Sequence, residues 1–120
     1  MLSYKVFGNV SDLLLLSVCK DVGTAISAAG TTQGTATQLT NAENFLTTVA
    51  AGSGVILDSQ ASAGDSQFIY NGGANPVNVY PPSGARIQVL ATNLPMILPV
   101  GTSVNLYCAS TTLWAGVLSR

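Results

Sequence analysis

Short runs of β-branched and aromatic residues dominate the chain from Thr35 onward, and turn-forming residues interrupt them roughly every eight to twelve positions. The interruptions are Gly, Pro, Asn and Ser, which favour turns and break regular strands. Apart from a short patch at residues 13–18, no segment has the apolar period of a helix. The sequence therefore predicts an all-β fold, namely a β-sandwich, a jelly-roll-like arrangement or a small barrel, with an extended N-terminal arm.

The length of the chain indicates one domain. A chain of 120 residues buries enough surface to form a core without a metal or a disulfide framework. Residues 21–34 are rich in Gly, Ala, Ser and Thr, a composition typical of a linker or an irregular strand pair. We therefore predict an arm over residues 1–24 and a single β domain over residues 25–120.

The arm contains the most apolar run of the chain, Leu13 to Leu16, followed by Ser17, Val18 and Cys19. The run is too short for a membrane span, and Asp12 borders it directly. Val18 is also too bulky for the position before a lipidated cysteine. We interpret this segment as an arm that docks on a neighbouring subunit, and we expect no contact with a membrane.

The charged residues exclude several functional classes. Four Lys or Arg and five Asp or Glu are scattered without a basic run, which argues against a nucleic-acid partner. The chain has no His, so it lacks the usual general base and the commonest metal ligand. The carboxylates lie apart in sequence, with neither the spacing of a calcium loop nor a local catalytic pair. We predict a non-enzymatic protein with no metal and no cofactor.

Several strands are predicted individually. We expect a hairpin, or a strand followed by one turn of helix, over residues 35–49, a wide hairpin over residues 67–80, and a last hairpin over residues 103–118. Cys108 alternates with Val104 and Leu106, so it is expected to be a buried thiol on the apolar side of its strand. Trp114 and Tyr107 are expected to anchor the core.

Residues 95–101 form an apolar run between Pro95 and Pro99, which is typical of an edge strand. Within it, Met96, Ile97 and Leu98 are candidates for an intersubunit strip. The arm offers a second set of candidate capsid or intersubunit contacts: Tyr4, Phe7, Leu13, Leu14, Leu15 and Leu16.

About half of the chain resembles a family of small structural proteins of tailed bacteriophages. The resemblance lies in the segments 50–57, 63–65, 71–84 and 98–101 and in the Ser-Thr-Thr-Leu-Trp sequence at 110–114, and it is most specific in 71–84, NGGANPVNVYPPSG. Within the family, the chain is most similar to capsid decoration, or cement, proteins of the cyanophage type. This resemblance implies a β-rich homotrimer in the virion, located where capsomers meet.

The resemblance implies a protein that binds the major capsid protein on the outer surface of the phage head and bridges capsomers. A tail- or fibre-associated module that binds a host glycan or receptor is the alternative, with Tyr80, Tyr107 or Trp114 as stacking surfaces. A glycosidase that uses Asp58 and Asp65, and a β domain of unrelated cellular origin, remain further alternatives.

Overall fold

The computed structural model describes residues 21–119. Between these limits the chain forms ten strands joined by turns, and no helix, so the all-β prediction is confirmed. The strands are β1 (Val22–Ala28), β2 (Thr37–Gln38), β3 (Glu43–Val49), β4 (Gly54–Ile56), β5 (Ser66–Asn71), β6 (Val77–Tyr80), β7 (Arg86–Ile87), β8 (Met96–Leu98), β9 (Ser103–Ser110) and β10 (Leu113–Ser119).

The strands form two sheets. The first has six strands in the order β1-β3-β5-β9-β10-β7, and the second has four in the order β2-β4-β6-β8. From β1 to β6 the chain alternates strictly between the two sheets. As a result, β1, β3 and β5 pair in parallel in the first sheet, and β2, β4 and β6 pair in parallel in the second.

Because the pairing is parallel, the chain from β1 to β6 winds like a solenoid, with each turn adding one strand to each sheet. In the first sheet Val22 pairs with Glu43 and Glu43 pairs with Phe68, an offset of about 20 to 25 residues, which is in the range of solenoid repeats. The arrangement is solenoid-like rather than a clear jelly-roll sandwich. β1 begins at Val22, within the range predicted for the arm.

The C-terminal part pairs differently. β9 lies antiparallel to β5, and β9 and β10 form the predicted hairpin, which is confirmed. β8 lies antiparallel to β6 at the edge of the four-stranded sheet, as expected for a run between two prolines.

The core lies between the two sheets. Alternate residues of each strand point inward, and the largest of them are fully buried: Leu46, Ile69, Leu106 and Trp114 from the first sheet, and Val55, Val79 and Leu98 from the second. Each buried aliphatic side chain contributes about 1.5 to 3 kcal/mol to folding. Both sheets therefore depend on one shared core.

The predicted hairpin over residues 67–80 is wrong, because β5 and β6 belong to different sheets. The turn between them is a corner built around the buried side chain of Asn71. Its Nδ2 donates hydrogen bonds to the carbonyl oxygens of Asn75 (2.9 Å) and Leu98 (3.0 Å), while its Oδ1 accepts one from the Gly73 N–H (3.0 Å). Residues 35–49 likewise form no hairpin, since β2 and β3 also lie in different sheets.

Candidate interaction surface

The outer face of the six-stranded sheet carries a group of aromatic side chains. Strand alternation points Phe45, Phe68, Tyr70 and Tyr107 away from the core. Tyr107 pairs with Ser66 on β5 and so lies diagonally across from Phe68. Phe45 lies opposite Tyr70 on the adjacent strand, and Val117 extends the group onto β10. We call these five residues the aromatic face.

Three of the four rings of the aromatic face, those of Phe45, Phe68 and Tyr70, form a packed cluster. The ring centroid of Phe45 lies 5.7 Å from that of Phe68 and 6.1 Å from that of Tyr70, with interplanar angles of 52° in both pairs. Such tilted contacts stabilise aromatic clusters. They do not form the coplanar surface on which a sugar ring stacks.

The aromatic face is open to solvent and almost free of charge. Tyr107 is 48% exposed and Val117 68%, while Phe45 and Phe68 are half-buried by their neighbours. Ser66, Ser103, Asn105 and Ala115 are among the other outward positions of the paired strands, and Glu43, opposite Phe68 at the start of β3, is the one charged residue among the described residues of β3, β5, β9 and β10. The Asn105 Nδ2 donates a hydrogen bond to the Tyr107 Oη (3.0 Å).

The outer side of the four-stranded sheet is different, because the chain itself covers part of it. The hydroxyl of Tyr80 donates to the carbonyl oxygen of Thr31 (3.3 Å), and the Gln33 Nε2 donates to the carbonyl oxygen of Pro81 (2.8 Å). Gly54 leaves room for this arrangement, since a Cβ there would lie 2.8 Å from the Tyr80 ring. Residues 29–36 thus bury Tyr80 to 8% exposure.

Three aspartates line a cleft of about 280 Å³ at one end of the strands. The amide nitrogen of Asn41, oriented toward Asp21, donates to both of its carboxylate oxygens (2.9 and 3.2 Å). The backbone N–H of Gln60 donates to Asp58 (2.9 Å) and that of Ser62 to Asp65 (2.8 Å). These carboxylates therefore stabilise their own loops, and the described residues contain no group of three acidic, Cys or His side chains that could hold a metal ion.

Sequence reasoning did not foresee that these aspartates would share a cleft. Parallel pairing causes it, because successive turns of the coil bring residues 21, 41 and 65 to the same end of the strands. The buried side chain of Gln67 closes the base of the cleft. Its Nε2 donates to the Asn41 carbonyl oxygen (3.0 Å) and its Oε1 accepts from the Asp58 N–H (2.8 Å).

The predicted contact residues fall into two sets. Tyr4, Phe7, Leu13, Leu14, Leu15 and Leu16 lie outside the described residues. The other set lies on β8, where Ile97 is 63% exposed, Met96 is half-buried against the core and Leu98 is fully buried in it. Of these three side chains, only that of Ile97 is mostly exposed to solvent.

The aromatic residues proposed as stacking surfaces also differ from one another. Trp114 is buried in the core, as predicted for a core anchor, and Tyr80 is buried under residues 29–36. The prediction that Tyr107 anchors the core is wrong. The alternation of Val104, Leu106 and Cys108 on the inner side of β9 already implies that Tyr107 points outward, and the same reasoning would have found Phe68 and Tyr70.

Cys108 confirms its predicted position on the inner side of β9. Its side chain is buried, and its thiol donates a hydrogen bond to the carbonyl oxygen of Ser110 (3.2 Å). Burial raises the pKa of this thiol above its ordinary value, and the negative charge of Asp65 raises it further. The group is thus a protonated, packed side chain at neutral pH.

Comparisons with protein-family models, with curated proteins and with solved structures found no match to this chain. Within residues 21–119 no helix is long and apolar enough to cross a membrane.

Proposed function

We propose that this chain is a capsid decoration, or cement, protein of a tailed bacteriophage. In this proposal it assembles as a homotrimer, binds the major capsid protein on the outer surface of the head, and bridges capsomers so that the shell resists internal pressure. The resemblance of residues 71–84 to phage structural proteins supports the proposal. It involves no catalytic step.

The observation that carries the proposal is the amount of apolar surface left open on a weakly charged domain. The aromatic face is one such surface. A second surrounds β8, where Leu94, Ile97 and Val100 are each about half or more exposed. Contiguous exposed apolar surface marks sites of protein association, and a chain with only 8% charged residues gains little solubility from charge.

The arm supplies the proposed contact with the shell. Each leucine of the run 13–16 that becomes buried on a neighbouring subunit would contribute about 1.5 to 3 kcal/mol to binding. Sheet edges could add backbone hydrogen bonds to the capsid, as in other cases of strand addition.

The glycan-binding alternative has less support. Two of its three stacking residues, Tyr80 and Trp114, are buried, and the exposed rings near Tyr107 are tilted relative to each other. Binding on a glycan array would favour this alternative.

The copy number of the protein in purified virions tests the proposal. Quantitative mass spectrometry against the major capsid protein should find on the order of one copy per shell subunit. A handful of copies would indicate a tail protein, and complete absence from virions would overturn the proposal.

A binding experiment then tests the arm. Full-length protein carrying Leu14→Asp and Leu15→Asp should bind heads that lack the protein at least about tenfold more weakly than wild type, because charged side chains cannot be buried there without a large penalty. Val89→Asp is the control, since Val89 is 95% exposed on the turn after β7. Unchanged affinity of the arm variant would exclude the arm as the contact.

A further inference from the structure

We propose that the aromatic face is the surface through which copies of this chain associate, by packing against the same face of neighbouring copies around a symmetry axis. The inference deepens the proposed function, because it names the subunit interface, but it can be tested without a capsid.

Exposure distinguishes this face from the other sheet. The four-stranded sheet has its outer side partly covered by residues 29–36, and Tyr80 is buried there. On the six-stranded sheet the described residues place nothing over Tyr70, Tyr107 or Val117. A sheet with one face on the core and one apolar face in solvent commonly buries the second face by packing on another sheet.

The charge of the face favours a second copy as its occupant. When identical surfaces meet at a symmetry axis, each charged residue brings a like charge close to it. The aromatic face largely avoids this problem because its own five residues carry no charge, and Glu43, which pairs with Phe68, is the one charged residue among the described residues of β3, β5, β9 and β10. A partner of another kind, chosen by electrostatic complementarity, would require several charged residues on this surface, and the described residues of these four strands supply Glu43 alone.

The size of the face is sufficient for a specific contact. Four strands at a spacing of about 4.8 Å, each about six residues long with alternate side chains pointing outward, give a patch roughly 20 Å on each side. With the relief of the side chains, two such patches bury roughly 1,200 Å², the lower limit for specific protein interfaces. We therefore expect association that depends on protein concentration.

Aromatic composition supports the same conclusion. Tyr and Phe are enriched in the centres of protein interfaces, where large rings bury much area with little loss of conformational freedom. Phe45 and Phe68 already hold each other in place, so the centre of the face is organised before a partner binds. The Tyr107 hydroxyl, held by Asn105, supplies a polar group at the rim.

Sedimentation of the full-length protein over a concentration series tests the inference. Wild type should associate at concentrations below about 100 µM, and Val117→Lys and Tyr107→Lys should each weaken association at least about tenfold. Val89→Lys introduces the same charge at an exposed apolar position outside the face and outside β8, so this control variant should associate like wild type. Ile97→Lys tests the competing interface at β8 and should weaken association less than either face variant.

Three outcomes would overturn the inference: a wild-type protein that stays monomeric up to about 500 µM, association that survives Val117→Lys and Tyr107→Lys, or association that only Ile97→Lys abolishes. The last result would place the interface at β8. Val117→Thr keeps the size and β-branched shape of the side chain and should associate like wild type. Lys variants that unfold at the same denaturant concentration as wild type would show that charge, and not misfolding, dissociates them. Failure of the protein to bind heads would overturn the proposed function and leave this inference intact.

Discussion

The two sheets share one core but differ in how much of their outer sides is exposed to solvent. On the four-stranded sheet, residues 29–36 lie over Tyr80, and hydrogen bonds from Tyr80 and Gln33 hold this segment in place. On the six-stranded sheet, Tyr70 and Tyr107 remain open to solvent, and Glu43 is the one charged residue among the described residues of the surrounding strands β3, β5, β9 and β10. The same residue type thus stabilises the fold on one sheet and is available to a partner on the other.

Because of this difference in exposure, mutations at Tyr80 should affect the stability of the fold, whereas mutations at Tyr107 should affect the association of subunits. Tyr80 is ordered by contacts within the chain, so its loss should reduce the free energy of unfolding. Tyr107 has few such contacts, so its loss should affect only assembly. Substitutions in the core that both sheets share should therefore have the largest effects, and substitutions on the outer sides should have smaller ones.

Removing the shared core should have the largest effect. Trp114 is 1% exposed and lies between Ile87 on β7 and Cys108 on β9. Trp114→Ala should lower the free energy of unfolding by about 3 to 5 kcal/mol, because it leaves a large cavity that the surroundings fill only in part. Chemical denaturation measures the loss, and Val89→Ala, at an exposed position, should change stability by less than about 0.5 kcal/mol. A loss below 1 kcal/mol for Trp114→Ala would contradict the single shared core.

The same change at Tyr80 and at Tyr107 makes the comparison direct. Tyr80→Ala should cost about 3 kcal/mol of stability, because the ring is buried beneath residues 29–36. Tyr107→Ala should cost less than about 1 kcal/mol, because about half of the side chain already contacts solvent. Denaturation at a concentration where both variants are monomeric measures this pair. Equal losses would show that the two outer sides do not differ in the proposed way.

The corner between the sheets should give a somewhat smaller loss. Asn71→Ala leaves the carbonyl oxygens of Asn75 and Leu98 without a side-chain donor, at a cost of about 2 kcal/mol. Asn78 is the matched control, since it is partly exposed and its single side-chain hydrogen bond, to Gly52, is long at 3.4 Å. Asn78→Ala should therefore cost less than about 0.5 kcal/mol. The reverse order of the two losses would exclude the proposed role of the corner.

Local sequence patterns predict where individual strands lie, but they do not predict which strands pair with each other. Alternation in residues 103–108 predicts a strand with Cys108 and Leu106 inside, and the structure confirms it. A strand pattern fixes which side chains share a face, but it contains no information about the strand that lies alongside. The parallel pairing of β1, β3 and β5 was therefore missed.

The turn at residues 71–76 shows why the sequence predicts a hairpin where the structure has a corner between two sheets. Asn, Gly and Pro favour a turn of any kind, and they do not distinguish a hairpin from a corner between two sheets. The distinction lies in Asn71, whose side chain reaches the carbonyl oxygen of Leu98, a residue distant in sequence. The aspartate cleft was missed for the same reason, since only the coiled course of the chain brings its residues together.

The smallest predicted effect concerns pH and the inner side of β9, directly behind the aromatic face. Burial raises the pKa of the Cys108 thiol in the folded protein, with a further contribution from the charge of Asp65. The folded state therefore holds this proton more tightly than the unfolded chain, so the stability it contributes is complete below the pKa of the unfolded thiol and is lost as the pH rises through the folded value. Wild type should lose stability above about pH 8.5, where an unfolded thiol begins to ionise.

Cys108→Ala should remove this part of the pH dependence, although the small cavity it creates lowers stability slightly at every pH. The informative quantity is the difference between wild type and variant, measured by denaturation at pH 7 and again near pH 10, because the two proteins differ in this one thiol. The difference should shrink at the higher pH. A difference that stays constant would mean that the thiol is not desolvated in the folded state, and that the inner side of β9 is less tightly packed than the core between the sheets requires.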